Sequence, residues 1–305
     1  MRIVFMGTPE FAVESLKALI QAGEHVVAVV TAPDKPAGRG QKIQQSAVKQ
    51  YAAAQNIPVL QPEKLKNITF LEELRSYKAD IQVVVAFRML PEVVWNMPTR
   101  GTINVHASLL PQYRGAAPIN HAVINGEKET GVTTFLLQHE IDTGNILLAQ
   151  KIKIEDTDTA GTLHDKLMIA GAEILLKTIR GLKENSIIPV PQADVTLNSL
   201  KHAPKIFKED CLIDWEAGTE QVYNKIRGLS PYPTAFTYLQ GKILKIFEAT
   251  QELTTHNCVP GTYQTDGRTY LKFATKDGFI HILMLQIEGK KRMYTLDFLR
   301  GYRLD

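Results

Sequence analysis

The chain has 305 residues, 44% of them hydrophobic and 22% charged, with 35 basic against 32 acidic side chains. That suffices for a full core and for two domains, while no apolar run approaches the roughly 18 residues that span a bilayer. Met1–Gly7 breaks into a turn too soon for a secretion signal, and the two cysteines, Cys211 and Cys258, offer neither a disulfide framework nor a metal-ligand spacing. A cytoplasmic, metal-free protein is expected. The net charge of +3 arises wholly beyond residue 200. That asymmetry is a weak pointer to a polyanionic partner, and a solvated lysine-rich surface explains it as well.

In chain order, Arg2–Met6 reads as an apolar strand. Pro9–Gln21 follows with helical recurrence of Phe11, Val13, Leu16 and Leu19, and His25–Val30 is a β-branched strand. Strand–helix–strand predicts a parallel sheet covered on both faces. Gly7-Thr8-Pro9 stands where a phosphate loop would, yet no Gly-x-Gly-x-x-Gly is present, so a nicotinamide cofactor is not expected. Residues 33–42 hold glycines, prolines and the cations Lys35, Arg39 and Lys42, which reads as an exposed basic loop. Such a loop suits phosphate groups; a plain surface connection is the other reading. Residues 44–56 look helical, Pro58–Leu60 strand-like and Ile68–Tyr77 helical. Ile81–Ala86 fits a central parallel strand and runs into Phe87-Arg88-Met89-Leu90-Pro91.

Thr102–Val105 predicts another short strand. Asn104 and His106 lie two residues apart and therefore share a face. An amide beside an imidazole suits a carbonyl that must become an oxyanion, although the same pair could merely satisfy backbone groups. Leu109, Leu110 and Pro111 end the strand with an apolar wall, and Arg114-Gly115 turns into a helix near Ala116. A strand end followed by a helix is where open α/β sheets place ligands. Downstream, Glu140-Ile141-Asp142-Thr143-Gly144 joins two apolar runs, Val132–Leu137 and Ile146–Ile154. It could be an ordinary turn, or it could carry the Asp142 carboxylate to the mouth of the sheet.

Asp158 or Thr159 can cap a long helix, Ala160–Leu182, with Leu163, Leu167, Ala170, Ile174 and Leu175 on one face. Residues 186–204, with Pro189, Pro191 and Pro204, read as a linker. Beyond it, short apolar stretches such as Ile243–Phe247 and Ile280–Leu285 alternate with turns, the pattern of a small all-β barrel.

Asn104-x-His106-x-Ser108-Leu109-Leu110-Pro111 together with Asp142-Thr143-Gly144 resembles the folate-dependent formyltransferases. The resemblance implies 10-formyltetrahydrofolate as donor, no metal, and Asn104, His106 and Asp142 as the catalytic trio. It places Ser108, Leu109, Leu110 and Pro111 in the folate site and Phe87 and Leu90 in the pterin pocket. Arg88 stands where the family carries glycine, which matters if that position takes a positive φ. Residues 33–42 resemble the loop with which family members acting on methionyl-tRNA grip the acceptor stem, implying tRNA contacts from Lys35, Arg39 and Lys42. Ala203-Pro204-Lys205-Ile206, Ile213-Asp214-Trp215 and Pro231-Tyr232-Pro233 resemble the OB-like carboxyl-terminal domain of the same members, with Lys205, Lys208, Lys290, Lys291 and Arg292 as further candidates.

The implied architecture is an α/β, Rossmann-like, mostly parallel sheet with helices on both faces, followed by an OB-like barrel. Residues 1–185 form the catalytic domain, 186–204 the linker and 205–305 the tRNA-binding domain. The implied acceptor is methionyl initiator tRNA, and one site per chain accords with a monomer. Two alternatives stand beside this: a formyltransferase for a sugar nucleotide or purine precursor, and a non-catalytic RNA-binding protein.

Overall fold

The structure is a computed structural model that describes residues 1–37, 42–192 and 200–304, with Ala37 and Lys42 described by backbone alone. The chain divides into two compact units. The first gathers Met1–Arg114, Gly131–Ile152 and His164–Lys201; the second gathers Gly115–Thr130, Lys153–Leu163 and His202–Asp305.

The first unit opens with β1 (Arg2–Gly7), α1 (Glu10–Gln21) and β2 (His25–Val30). Within the stretch read as a loop, Lys35–Ala37 is a strand, β3, and it pairs antiparallel with β4 (Lys42–Gln44), Pro36 opposite Ile43. Strands of three residues, with Ile43 72% exposed, leave no alternating apolar pattern to read. Next come α2 (Ala47–Ala54), β5 (Val59–Leu60), α3 (Ile68–Ser76), β6 (Ile81–Val85), α4 (Glu92–Trp95) and β7 (Thr102–His106). The α2 helix starts later than the apolar spacing predicts because the Ser46 hydroxyl caps it, accepting from the Lys49 N–H at 3.1 Å. Beyond β8 (Arg114–Gly115) and α5 (Pro118–Ile124), the chain returns as β9 (Glu129–Leu136), β10 (Ile146–Lys153) and the 24-residue α6 (Ala160–Lys183).

Seven strands form one sheet in the order β10-β9-β7-β6-β1-β2-β5. The β1–β2, β2–β5, β1–β6 and β6–β7 pairings are parallel, and β7–β9 is antiparallel. Ile3, Val4, Phe5 and Met6 are fully buried, as expected of a central parallel strand covered on both faces. From β1 the chain goes first to β2 and β5 on one side, then to β6 and β7 on the other. This reversal is the topological switch point outside whose carboxyl-terminal strand ends such sheets hold their ligands. Gly7 ends β1 there because a Cβ would stand 2.6 Å from that of Ala12 and 3.0 Å from the Val85 carbonyl oxygen. His106, at the end of β7, is therefore delivered to the ligand edge by topology.

In the second unit, β11 (His202–Ala203) lies against Gly115, where any Cβ would meet the Ala203 carbonyl oxygen at 2.5 Å. A 10-residue helix, α7 (Thr219–Gly228), then precedes β12 (Ala235–Leu239), β13 (Lys242–Leu253), β14 (Tyr263–Thr265), β15 (Leu271–Ala274), β16 (Gly278–Ile287), β17 (Met293–Tyr294) and α8 (Thr295–Gly301). The strands form an antiparallel OB-like sheet in the order β12-β13-β16-β15-β14, with β17 on β16. Trp215 stacks on Phe273 with centroids 4.8 Å apart, and its indole N–H donates to the Thr237 hydroxyl at 2.9 Å. Two helices accompany the OB-like sheet. Their apolar faces are short, and α7 begins at Gly218, which has no side chain to signal a cap; Asp277 accepts from the Thr219 N–H at 2.7 Å instead. Gly228 lets α7 approach α5 closely, since a Cβ there would fall 2.5 Å from Ile124 Cγ1.

Candidate active site

Asn104 and His106 sit on one face of β7, as the two-residue period requires, paired across to Phe135 and Thr133 of β9. His106 is 6% exposed. Its Nε2 lies 2.9 Å from the carbonyl oxygen of Tyr113. A carbonyl can only accept, so Nε2 carries the proton. Nδ1 then faces Asp142, with Oδ2 3.9 Å away. That is ion-pair distance and too long for a direct hydrogen bond.

Residues 107–114 bring the Tyr113 carbonyl to the imidazole, and each step is hydrogen-bonded. The Ser108 hydroxyl donates to the Gln112 carbonyl at 2.7 Å. Thr133 donates to the Ser108 carbonyl at 2.7 Å and accepts from the Leu110 N–H at 3.2 Å. Tyr113, with φ of 60°, donates its N–H to the Lys201 carbonyl at 2.6 Å. Ser108 is fully buried, so its visible contribution is to the shape of this loop. Leu110 is 8% exposed, while Leu109 and Pro111 are half-buried.

Asp142 sits in the turn between β9 and β10 in the left-handed region, with φ of 56°. The Leu136 N–H donates to the Asn145 carbonyl at 3.0 Å and closes the turn. Gly144 packs so tightly that a Cβ would fall 1.6 Å from the Leu136 carbonyl oxygen. The turn chemistry of Asp-Thr-Gly and its position at the sheet mouth are thus one and the same feature.

On the neighbouring strand end, Leu90 is 9% exposed and Phe87 half-buried, both packed with Val84 and Leu60. The left-handed residue in this segment is Ala86, with φ of 47°; Arg88 does not have a positive φ. Its guanidinium donates instead to the Glu63 carbonyl at 2.9 Å and to the Pro62 carbonyl. The missing glycine therefore costs no backbone strain. Lys35 is exposed at the start of the hairpin, and Asp34 beside it bonds Lys49 at 2.6 Å and Gln61 at 2.7 Å. Those two partners hold the Asp34 carboxyl below its usual range. Arg39 and the Lys42 side chain lie outside the described residues.

Residues 1–179 match the formyl transferase family, and residues 205–303 match the formyl transferase carboxyl-terminal domain. The chain belongs to the formyl transferase family. It is 56% identical to a methionyl-tRNA formyltransferase of Bacteroides thetaiotaomicron, over all of this chain and 96% of that protein. In fold it is similar to a sugar 3N-formyl transferase crystallised with dTDP and 5-N-formyl-THF, with a TM-score of 0.69 and 22% identity over 95% of this chain and 99% of that one. It is also similar to HypX of Aquifex aeolicus in complex with tetrahydrofolic acid, with a TM-score of 0.67 and 21% identity over all of this chain and 48% of that one.

Among the described residues of this formyl transferase, no group of three or more histidine, cysteine or acidic residues could hold a metal ion. No described helix is long and apolar enough to cross a membrane. The motif reading did not reach Tyr113, Thr133 or Gln192. Tyr113 acts through its backbone, Thr133 lies on another strand, and Gln192 lies in the proline-bearing segment read as a linker.

Proposed function

We propose that the chain transfers the formyl group of 10-formyltetrahydrofolate to the α-amino group of methionyl initiator tRNA, with Asn104, His106 and Asp142 at the reacting centre. The acceptor follows from the 56% identity, end to end, with a methionyl-tRNA formyltransferase. The folate donor follows from the family and from the folates named with its structural neighbours. The observation that carries the chemistry is the His106–Asp142 pair at the carboxyl end of β7, with Asn104 on the same strand face.

The amine is the nucleophile. An α-amino group titrates near ~8, so a neutral fraction is available without a strong base. Attack on the formyl carbon forms a C–N bond and turns the formyl oxygen into an oxyanion, to which the Asn104 amide donates. His106 has committed Nε2–H to Tyr113, so Nδ1 is its working atom and donates to the oxyanion when the ring is protonated. The attacking nitrogen gives its proton to Asp142, directly or through water. The C–N10 bond then breaks, N10 of the folate takes a proton, and tetrahydrofolate leaves. Leu109, Leu110 and Pro111, with Phe87 and Leu90, supply the apolar donor site. Lys35, Arg39 and Lys42 supply phosphate contacts to the tRNA.

The test is formyl transfer from 10-formyltetrahydrofolate to methionyl initiator tRNA, to methionyl elongator tRNA and to an amino-sugar nucleotide. Selective turnover of the initiator supports the proposal. Turnover of the sugar nucleotide alone would keep the trio and replace the acceptor.

A further inference from the structure

Gln192 lies outside the 1–179 family match, yet its side chain reaches the Asp142 turn. Its Nε2 donates to the Asp142 carbonyl at 2.8 Å and to the Gly144 carbonyl at 2.9 Å. Its Oε1 accepts from Arg114 Nε at 3.0 Å and also from Arg114 Nη2. The partners fix which way the amide points. Arginine can only donate and the two carbonyls can only accept, so a flipped amide would oppose like groups on both sides. The segment is itself anchored, because Val190 and Ile146 exchange backbone hydrogen bonds of 2.8 Å at the start of β10.

We propose that Gln192 is a positioning residue for formyl transfer: aimed by Arg114, its amide holds the Asp142 turn so that the carboxylate stands opposite His106 Nδ1. The inference rests on the reading that Asp142 takes part in catalysis. Asp142 is a non-glycine residue held in the left-handed region, a conformation that persists only where the surroundings over-determine it. Two donors on the carbonyls either side of Thr143 supply that constraint. Lys201, further along the same segment, accepts from the Tyr113 N–H whose carbonyl holds His106. Gln192 and Lys201 thus brace one member of the pair each.

The experiment uses Gln192→Glu in the full chain. The substitution keeps size and keeps an acceptor for Arg114, but it removes both N–H donors and sets an oxygen against two carbonyl oxygens. The expected result is a kcat lower by about 10- to 100-fold, the scale of misplacing a reacting group by about 1 Å. Km for the folate donor and for tRNA should stay within about twofold and Tm should hold, since Gln192 acts on the placement of the Asp142 carboxylate and makes no part of either binding contact proposed above. Gln192→Ala should show the same split between kcat and Km. Unchanged kcat in both variants would overturn the proposal. So would a loss of kcat accompanied by matching losses in donor affinity and Tm, which marks a general structural role. Asp142→Asn runs alongside: if it keeps full kcat, the reading of Asp142 fails; if it is crippled while Gln192→Glu is normal, only the positioning role fails.

Discussion

His106 Nε2 lies 2.9 Å from the Tyr113 carbonyl oxygen, so Nδ1 is the ring nitrogen that faces Asp142. The relationship assigns the tautomer without reference to any substrate. It also gives the two ring nitrogens different neighbours. The Tyr113 carbonyl holds Nε2 of the ring, and the Asp142 carboxylate stands 3.9 Å from Nδ1, where the proposed mechanism uses it for charge and a proton.

Asp142→Asn keeps the shape of the side chain and the left-handed turn, because asparagine tolerates positive φ at least as well as aspartate. It removes the negative charge and the proton acceptor. We expect kcat to fall by roughly a hundredfold or more, the usual scale for losing a group that acts on developing charge. Donor dissociation constants, measured by fluorescence titration, should barely move. Single-turnover formyl transfer is the decisive measurement, and near-wild-type rates would take Asp142 out of the chemistry.

Thr133→Val tests the loop that delivers Tyr113. The Thr133 hydroxyl is fully buried and serves two backbone groups, the Ser108 carbonyl and the Leu110 N–H. Valine is nearly isosteric and leaves both groups unpaired. Each unsatisfied buried group costs about 1–3 kcal/mol, so urea unfolding should show a clear loss of stability. Because the same loop sets the His106 ring, kcat should fall too. A variant with normal stability would mean that water replaces the hydroxyl.

Much of this arrangement was legible because it is local. The period-two placement of Asn104 and His106, the Asp142 turn and the apolar run of β6 each depend on a few adjacent residues. What escaped depends on distant backbone partners. Nothing near Gln192 signals that its amide meets Asp142, 50 residues away. Nothing near Gly218 announces α7, whose first N–H is bonded by Asp277, 58 residues from Thr219. The hairpin of β3 and β4 was missed for a different reason, since its proline and exposed isoleucine carry the composition of a loop.

Arg88→Gly would install the glycine that the sequence resemblance implies here, and the structure predicts that it will not help. Arg88 has no positive φ to relieve, so glycine would add only conformational entropy to the unfolded chain. It would also remove the guanidinium from the Glu63 and Pro62 carbonyls. Stability should drop by about 1 kcal/mol, and thermal unfolding will read it. A rise in Tm would show that Arg88 strains the segment after all.

Asp277 gives the second unit a defined sensitivity to acid. Its carboxylate accepts from the Thr219 N–H at 2.7 Å and from the Thr219 hydroxyl at 2.8 Å, and these bonds hold its pKa below the usual value. A carboxyl whose folded pKa is depressed binds its proton more readily when unfolded. It therefore stabilises the fold above the unfolded value of ~3.9 and loses that contribution as pH falls through the folded one. Asp277→Ala should lower stability at neutral pH, because the first turn of α7 loses its cap, and the gap to wild type should close as pH falls below about 4. Asp277→Asn keeps the acceptor oxygen and should fall between the two. Chemical unfolding followed by tryptophan fluorescence in a Trp95→Phe background, which leaves Trp215 as the reporter, measures all three when repeated across pH. A gap between Asp277→Ala and wild type that stayed constant with pH would show that the side chain acts through packing, with its charge irrelevant to the cap.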